Sequence, residues 1–239
     1  GDNHPAVATS YSYIGQIYFA QNDYSKALDY FKKSLKLDLS FFGENHPSVA
    51  SGYYNIGYVY FAQGDYSKAL EYFEEVLKIR LSVYGENHSR VASVYNDIGE
   101  IYSVQGDDFK ALDYFKKSLK IVLSVYGENH SQVSSIYDHI GEIYFAQKDY
   151  SKALYYFEES LKIRLSLFGE NHPEVALSYY SIGSLYIIQG DKSKALNYYE
   201  KSLKIRLSVY GENHPLTKEI MDLINVANSK VLQSPETTK

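Results

Sequence analysis

A single block of sequence recurs along the chain at a fixed spacing of 42 residues. It reads Gly-Glu-Asn-His followed by Pro or Ser, and it begins at Gly43, Gly85, Gly127, Gly169 and Gly211, with a variant, Gly-Asp-Asn-His-Pro, at Gly1. A fixed period of this length predicts a solenoid, in which each repeat buries its apolar face only against its neighbours. The chain then comprises repeats 1 to 5, at residues 1–42, 43–84, 85–126, 127–168 and 169–210, and the start of a sixth.

Each repeat is predicted to form two antiparallel helices, as repeat 2 illustrates. Pro47 favours a helix start, because proline has no amide hydrogen and its φ is already helical. Apolar and small residues follow at helical spacing until the turn at Gly64, where Asp65 can cap a second helix. That helix is apolar on one side and charged on the other. Gly85 is expected to supply a left-handed residue past its end.

A glycine stands in the middle of every first helix, and its cost of about 1 kcal/mol relative to alanine calls for a packing reason. These glycines are Gly15, Gly57, Gly99, Gly141 and Gly183. The second helices carry an alanine column at Ala27, Ala69, Ala111, Ala153 and Ala195. We expect the two columns to face each other, so that the paired helices approach closely.

The residues of repeat 2 resemble the tetratricopeptide repeat. The matching series is Asn55-Ile56-Gly57-x-x-Tyr60, then Gly64-Asp65-Tyr66, Ala69 and Phe73, and the 42-residue unit is similar to that of kinesin light chains. The resemblance covers Gly1 to about Pro215 and implies an all-α fold, a right-handed α-solenoid (superhelix) of helix pairs. It also implies a non-catalytic module that binds peptides or proteins.

The domain prediction is one solenoid over residues 1–232, closed by a helix at 215–232, with a disordered tail at 233–239. Because Gly1 falls on a repeat boundary, we expect the chain to be a piece of a longer protein. The first helix has no capping repeat before it, so end-to-end self-association is an alternative to ligand binding.

Composition narrows the function classes. The chain has no cysteine, which excludes disulfides, zinc-thiolate sites and thiol nucleophiles and is compatible with a reducing, cytoplasmic location. The net charge of -5 argues against nucleic acid as the ligand, because phosphate binding needs a basic stripe. No segment is long and apolar enough to span a bilayer, so we expect no membrane partner. We find no arrangement of residues that favours an enzyme and expect no cofactor.

Comparison of the near-identical repeats shows where they differ. Three columns of the first helix vary while its isoleucine, glycine and tyrosine columns barely change, and offsets of one and four residues place the three on one stripe of the helix. By the family resemblance, this stripe lines the concave groove. The predicted ligand-facing residues are Tyr13, Tyr54, Asn55, Tyr58, Asn96, Asp97, Glu100, Asp138, His139, Glu142 and Tyr180.

The stripe is acidic in repeats 3 and 4 and rich in tyrosine on both sides. Its four carboxylates are Asp97, Glu100, Asp138 and Glu142. Such a surface suits a basic or aromatic protein segment, through charge-assisted hydrogen bonds and cation-π contacts. The alternative is a solvated face whose residues drift freely. A metal site that joins His139 to the neighbouring acids is a further, disfavoured alternative.

Two other columns have structural explanations. The loop histidines His4, His46, His88, His130, His172 and His214 are predicted to bond the turn backbone or to pack between repeats. Arg80, Arg164 and Arg206 recur late in the second helix, with Asp38 and Val122 at the same position of the other repeats. We expect these arginines to favour the helix dipole and to pack their stems across a neighbouring helix.

Overall fold

Residues 5–229 are described by the computed structural model of the protein. This part of the chain consists of helices joined by short turns and contains no strand, which confirms the all-α prediction. The helices are α1 (Pro5–Ala20), α2 (Tyr24–Phe42), α3 (Pro47–Ala62), α4 (Tyr66–Tyr84), α5 (Ser89–Val104), α6 (Asp108–Tyr126), α7 (Ser131–Ala146), α8 (Tyr150–Phe168), α9 (Pro173–Gln189), α10 (Lys192–Tyr210) and α11 (Pro215–Ser229).

The chain divides into two compact units, Gly1–Val125 and Tyr126–Lys239. In the first unit α2 packs against α1 and α3, and α4 packs against α3 and α5. In the second unit α8 packs against α7 and α9, and α10 packs against α9 and α11. Each of these second helices is therefore shared between its own repeat and the next, which confirms the helix-pair solenoid. One continuous solenoid over residues 1–232 stays a prediction.

The closing helix predicted at residues 215–232 is α11, Pro215–Ser229. Residues 230–232 and the predicted tail at 233–239 lie outside the described residues, as does His4. No helix in the described part of the chain has the length and apolar character needed to span a bilayer.

The loop histidines cap the first helices, as the sequence predicted. The Nδ1 atom of His46 accepts a hydrogen bond from the Ser48 amide at 3.1 Å, and its ring stacks on Phe42 at 4.1 Å. The same amide bond and the same stack onto the aromatic residue four positions earlier recur at His88, His130, His172 and His214. A side-chain acceptor at this position satisfies an amide that has no partner within the helix. The repeated block is thus a structural helix start.

The second helices begin and end on specific side chains as well. Asp65 accepts from the Lys68 amide at 3.3 Å, which confirms its capping role. Gly85 follows α4 with φ 76° and ψ 175°, so it has the predicted positive φ but lies outside the left-handed helical region. The prediction of a left-handed helical residue is wrong in that detail, and the observed conformation is even more restricted to glycine.

The mid-helix glycines face aromatic rings, which corrects the predicted alanine contact. A Cβ atom on Gly99 would lie 2.8 Å from Cε1 of Phe115. A Cβ atom added to Gly15, Gly141 or Gly183 would likewise lie 2.6 to 2.7 Å from the nearest ring carbon of a phenylalanine or tyrosine. The alanine column is fully buried, and where an alanine is among the nearest neighbours it contributes its backbone oxygen, as Ala195 does at 3.3 Å from a Cβ on Gly183. The ring therefore sets the distance between paired helices.

We predict that Gly99→Ala lowers the free energy of unfolding by roughly 1–2 kcal/mol, because overpacking against the Phe115 ring outweighs alanine's better helix propensity. Gly57→Ala is the control in the same unit, since its Cβ would meet Cβ of Tyr72 at 3.1 Å and no ring atom closer than 3.5 Å. Urea unfolding followed by circular dichroism measures both. An equal or larger loss for Gly57→Ala would contradict the role of the ring.

Candidate functional site

A cavity of about 330 Å³ opens in the first unit where the variable residues of three first helices come together. Five of the predicted ligand-facing residues line it, and they are Tyr54 and Tyr58, Asn55, Asp97 and Glu100. The remaining lining residues are Gln16, Phe19 and Phe31. The cavity is therefore built from α1, α3 and α5, with one ring contributed by α2.

One wall of the cavity is aromatic. Tyr58 is 44% exposed, and its ring lies 5.7 Å from Phe19 and 6.2 Å from Tyr54, centroid to centroid. Tyr13, another predicted residue, is 62% exposed and does not line the cavity. Sequence comparison missed Phe19, because its column, which is phenylalanine in three of the five repeats, was not among the three columns chosen as variable. Phe19 follows Gln16, a residue of the variable stripe, by about one helical turn, and this spacing places it on the same face of α1.

Asp97 lies largely enclosed beside Tyr54. Its carboxylate accepts a hydrogen bond from the Tyr54 hydroxyl, and its Oδ2 atom is buried without a hydrogen-bond partner in the described residues. Burial, reinforced by the charge of Glu100, raises the pKa of Asp97 to about 7. This group is therefore not the solvated carboxylate that the alternative interpretation required.

Glu100 is also partly withdrawn from solvent. Nδ2 of Asn96 donates to its Oε1 at 2.5 Å, and burial raises the pKa of this carboxyl despite that bond. The guanidinium of Arg80 lies 5.2 Å from the Tyr54 ring centroid, donates to the Arg90 carbonyl at 2.7 Å and acts electrostatically on Asp97. Two acids thus share a poorly hydrated wall with one nearby cation.

The predicted residues of the second unit are arranged differently. Asp138, predicted to face a ligand, lies 2.6 Å from Arg164, so its charge is compensated within the chain. Burial, with a further contribution from Arg164, lowers the pKa of His139 to about 4, which leaves this histidine neutral at pH 7. Glu142 is exposed. The Tyr180 hydroxyl donates to Glu219 at 3.1 Å.

A metal site receives no support from this geometry. Among residues 5–229, no group of three or more histidine, aspartate or glutamate side chains is placed to hold a metal ion.

The recurring arginines connect helices, and the predicted dipole role is wrong. None of them lies in the last turn of its helix. Arg164 binds Asp138 of α7, and it also binds Glu174 and Ser178 of α9, at 2.9 and 2.8 Å. Arg206 of α10 lies 5.0 Å from the Tyr180 ring of α9 and donates to the Leu216 carbonyl of α11 at 2.6 Å. Each arginine therefore joins the first helix of its own repeat to the first helix of the next.

Comparison with solved structures finds similar folds in several proteins. BtubC (BKLC) from P. vanneervenii is 24% identical with a TM-score of 0.77, and the match covers 88% of this chain and 84% of that one. A kinesin-light-chain-type protein of Podosopora anserina with nearly identical TPR-like repeats is 17% identical with a TM-score of 0.73, at coverages of 86% and 97%. These likenesses show the fold. No match was found among curated proteins.

A further similar structure is a Rap protein complexed with Competence and Sporulation Factor, 18% identical with a TM-score of 0.65, where the match covers 91% of this chain and 64% of that one. The family model for the tetratricopeptide repeat matches residues 1–40, 48–124, 90–166 and 132–208. These matches span most of the chain, and the helix pairs, caps and glycine columns described above agree with them. The chain belongs to the tetratricopeptide repeat family.

Proposed function

We propose that the cavity of the first unit binds a segment of a partner protein that carries basic or aromatic side chains. The observation that carries the proposal is the meeting of an aromatic wall with two enclosed carboxylates, at the positions where nearly identical repeats differ. The module recognises its partner without catalysis.

The electrostatics of Asp97 support a basic ligand. A lysine or arginine side chain in the cavity would pair with a carboxylate that has one unpartnered oxygen, through a charge-assisted hydrogen bond. Because the site is poorly hydrated, such a pair interacts more strongly than on an open surface. The rings of Tyr54 and Tyr58 offer cation-π contacts in the same space. An acidic segment would be repelled by the two carboxylates.

Family membership supports protein binding in general. Tetratricopeptide arrays present extended surfaces that act as protein-interaction modules. The similar Rap protein was solved in complex with Competence and Sporulation Factor, and this complex supports a partner-binding role for the fold.

Self-association is the competing function, and one observation favours it. Tyr13 and Ile17 on the first helix are 62% and 57% exposed, so two apolar side chains are available to a second copy. Sedimentation at increasing protein concentration distinguishes the two functions, because self-association depends on concentration and is indifferent to the cavity acids.

We predict that basic peptides bind this protein and that acidic and neutral peptides of equal length do not. Asp97→Asn combined with Glu100→Gln should weaken basic-peptide binding at least tenfold. A tenfold change in Kd corresponds to roughly 1.4 kcal/mol, which is less than the usual cost of removing one partner of a buried charge pair. Fluorescence anisotropy with labelled peptide pools measures the affinities.

The control for that experiment is Glu71→Gln with Glu74→Gln, which removes the same charge from exposed positions on α4. The control should retain binding at low and moderate salt. Equal loss in both variants would reduce the effect to net charge and contradict a specific site. Binding that survives in the cavity variant would contradict it as well.

The raised pKa of Asp97 predicts opposite pH trends for binding and stability. The groups around it are the Tyr54 hydroxyl, the Glu100 carboxyl and the Arg80 guanidinium. Basic-peptide affinity should rise as pH increases from about 6 to about 8, because Asp97 becomes ionised over that range. The folded protein holds this proton up to about pH 7, whereas the unfolded chain loses it near 3.8, so stability falls as pH rises between these values.

Asp97→Asn should therefore be more stable than the parent at pH 8, by roughly 1–4 kcal/mol, and the difference should shrink toward pH 4. Asn55 occupies the same column in repeat 2, so an amide fits this position. Thermal and urea unfolding over a pH series measure the stability, and anisotropy over the same series measures the binding. A stability difference that is independent of pH would contradict the enclosed carboxylate.

A further inference from the structure

The position of the recurring arginine is occupied differently in repeat 1. Advancing by 42 residues from Asp38 reaches Arg80, Val122, Arg164 and Arg206. Three repeats therefore place a guanidinium at this point of the second helix, one places an aliphatic side chain, and repeat 1 places a carboxylate of opposite charge.

The arginines show which space a side chain at this position can reach. Arg164 contacts Asp138 in the first helix of its own repeat and Glu174 at the start of the next first helix. Arg80 uses the equivalent pair, with the Tyr54 ring on one side and the Arg90 carbonyl on the other. The guanidinium therefore lies between two consecutive first helices, above the second helix that carries it.

In repeat 1 that space is a cavity of about 170 Å³. Its polar lining comes from Thr9, Ser12, Ser34, Asp38, Ser48, Ser51 and Asn55. Ser12 is the counterpart of the position held by Tyr54 and Asp138, and Ser48 is the counterpart of Arg90 and Glu174. The cavity thus occupies the location that a guanidinium fills in repeats 2, 4 and 5, and the groups around it are smaller.

The walls of this cavity are fixed by hydrogen bonds. The Ser34 hydroxyl donates to the Ala8 carbonyl at 2.7 Å, which leaves its oxygen lone pairs as acceptors. Nδ2 of Asn55 donates to the Ser12 oxygen at 3.3 Å. Asn55 and Phe31 also line the larger cavity described above, so the two spaces adjoin.

Asp38 is the feature that points to a ligand. It is 9% exposed, and within residues 5–229 its carboxylate makes no hydrogen bond or ion pair. Burial raises the pKa of this carboxyl, opposed only by the charge of His46. The carboxylate lines the cavity and is partly desolvated, so a cation that enters the cavity could reach it and offset the cost of that desolvation.

We propose that the Asp38 cavity is a binding site for an arginine side chain of a partner protein. The guanidinium would replace the intramolecular arginine of repeats 2, 4 and 5, pairing with Asp38 and donating to the surrounding hydroxyls. Its planar, multiple-donor geometry matches a cavity rich in acceptors better than an ammonium does. The proposal deepens the proposed function, since a basic segment in the larger cavity would have this site as its neighbour.

The test uses a single-residue probe, so it does not depend on peptide binding. Nα-acetyl-arginine N-methylamide is titrated into protein labelled with 15N-serine, with the citrulline and lysine analogues as neutral and ammonium controls. The amides of Ser48 and Ser51 should shift saturably with the arginine analogue. The citrulline analogue should bind at least tenfold more weakly, and the lysine analogue should lie between the two.

Two variants complete the experiment. Asp38→Asn should weaken the arginine analogue at least tenfold while retaining the fold. Asp38→Arg should abolish binding and raise the melting temperature, because the new side chain fills the space as Arg80 does in its repeat. Equal affinity for arginine and citrulline analogues, or undiminished binding to Asp38→Asn, would overturn the proposal. Tighter binding of the lysine analogue would overturn the assignment to arginine.

The outcome is separable from that of the proposed function. If the arginine analogue fails to bind while basic peptides still depend on Asp97 and Glu100, the Asp38 site is wrong and the larger cavity stands. If the analogue binds as predicted while peptides show no charge selectivity, the Asp38 site stands and the function proposed for the larger cavity is wrong.

Discussion

The packing of one second helix between two first helices is the interaction on which the rest of this structure depends. Phe73 on α4 is 1% exposed and Ile56 on α3 is fully buried, and neither could be enclosed by its own repeat alone. Because every repeat must satisfy the same contacts, the glycine, alanine, isoleucine and capping-histidine columns are held nearly constant. Most of the columns that line the two adjoining cavities of the first unit vary more than these.

Much of the fold could be predicted because it follows from local chemistry. Pro47 and Asp65 mark helix starts through rules that involve neighbouring residues only, and the 42-residue period supplies the stacking. The errors arose where distant residues decide the outcome. The spacing of Gly99 along its helix could not show that Phe115, rather than the alanine column, stands opposite. The conformation of Gly85 beyond a positive φ depends on the turn that follows it.

The site was predictable in its location and less so in its electrostatics. Internal comparison of repeats identified Tyr54, Tyr58 and Asp97, which line one cavity. It could not reveal that Asp97 is enclosed enough for its pKa to rise to about 7, since burial depends on how helices stack. Nor could it show that Arg164 neutralises Asp138. The apparent acidic stripe is therefore two chemical environments, one in which Asp97 and Glu100 line a poorly hydrated cavity and one in which Asp138 forms an internal ion pair.

Placement of a bound peptide is the measurement that tests the central claim most directly, namely that the variable first-helix residues of the first unit receive the partner. A photoreactive benzoylphenylalanine at position 58 is compared with one at position 109, where Phe109 is 85% exposed and lies outside both cavities. The account predicts that a basic peptide cross-links at position 58 and that excess unlabelled peptide prevents it. Cross-linking at position 109 alone, with peptide bound, would contradict the account.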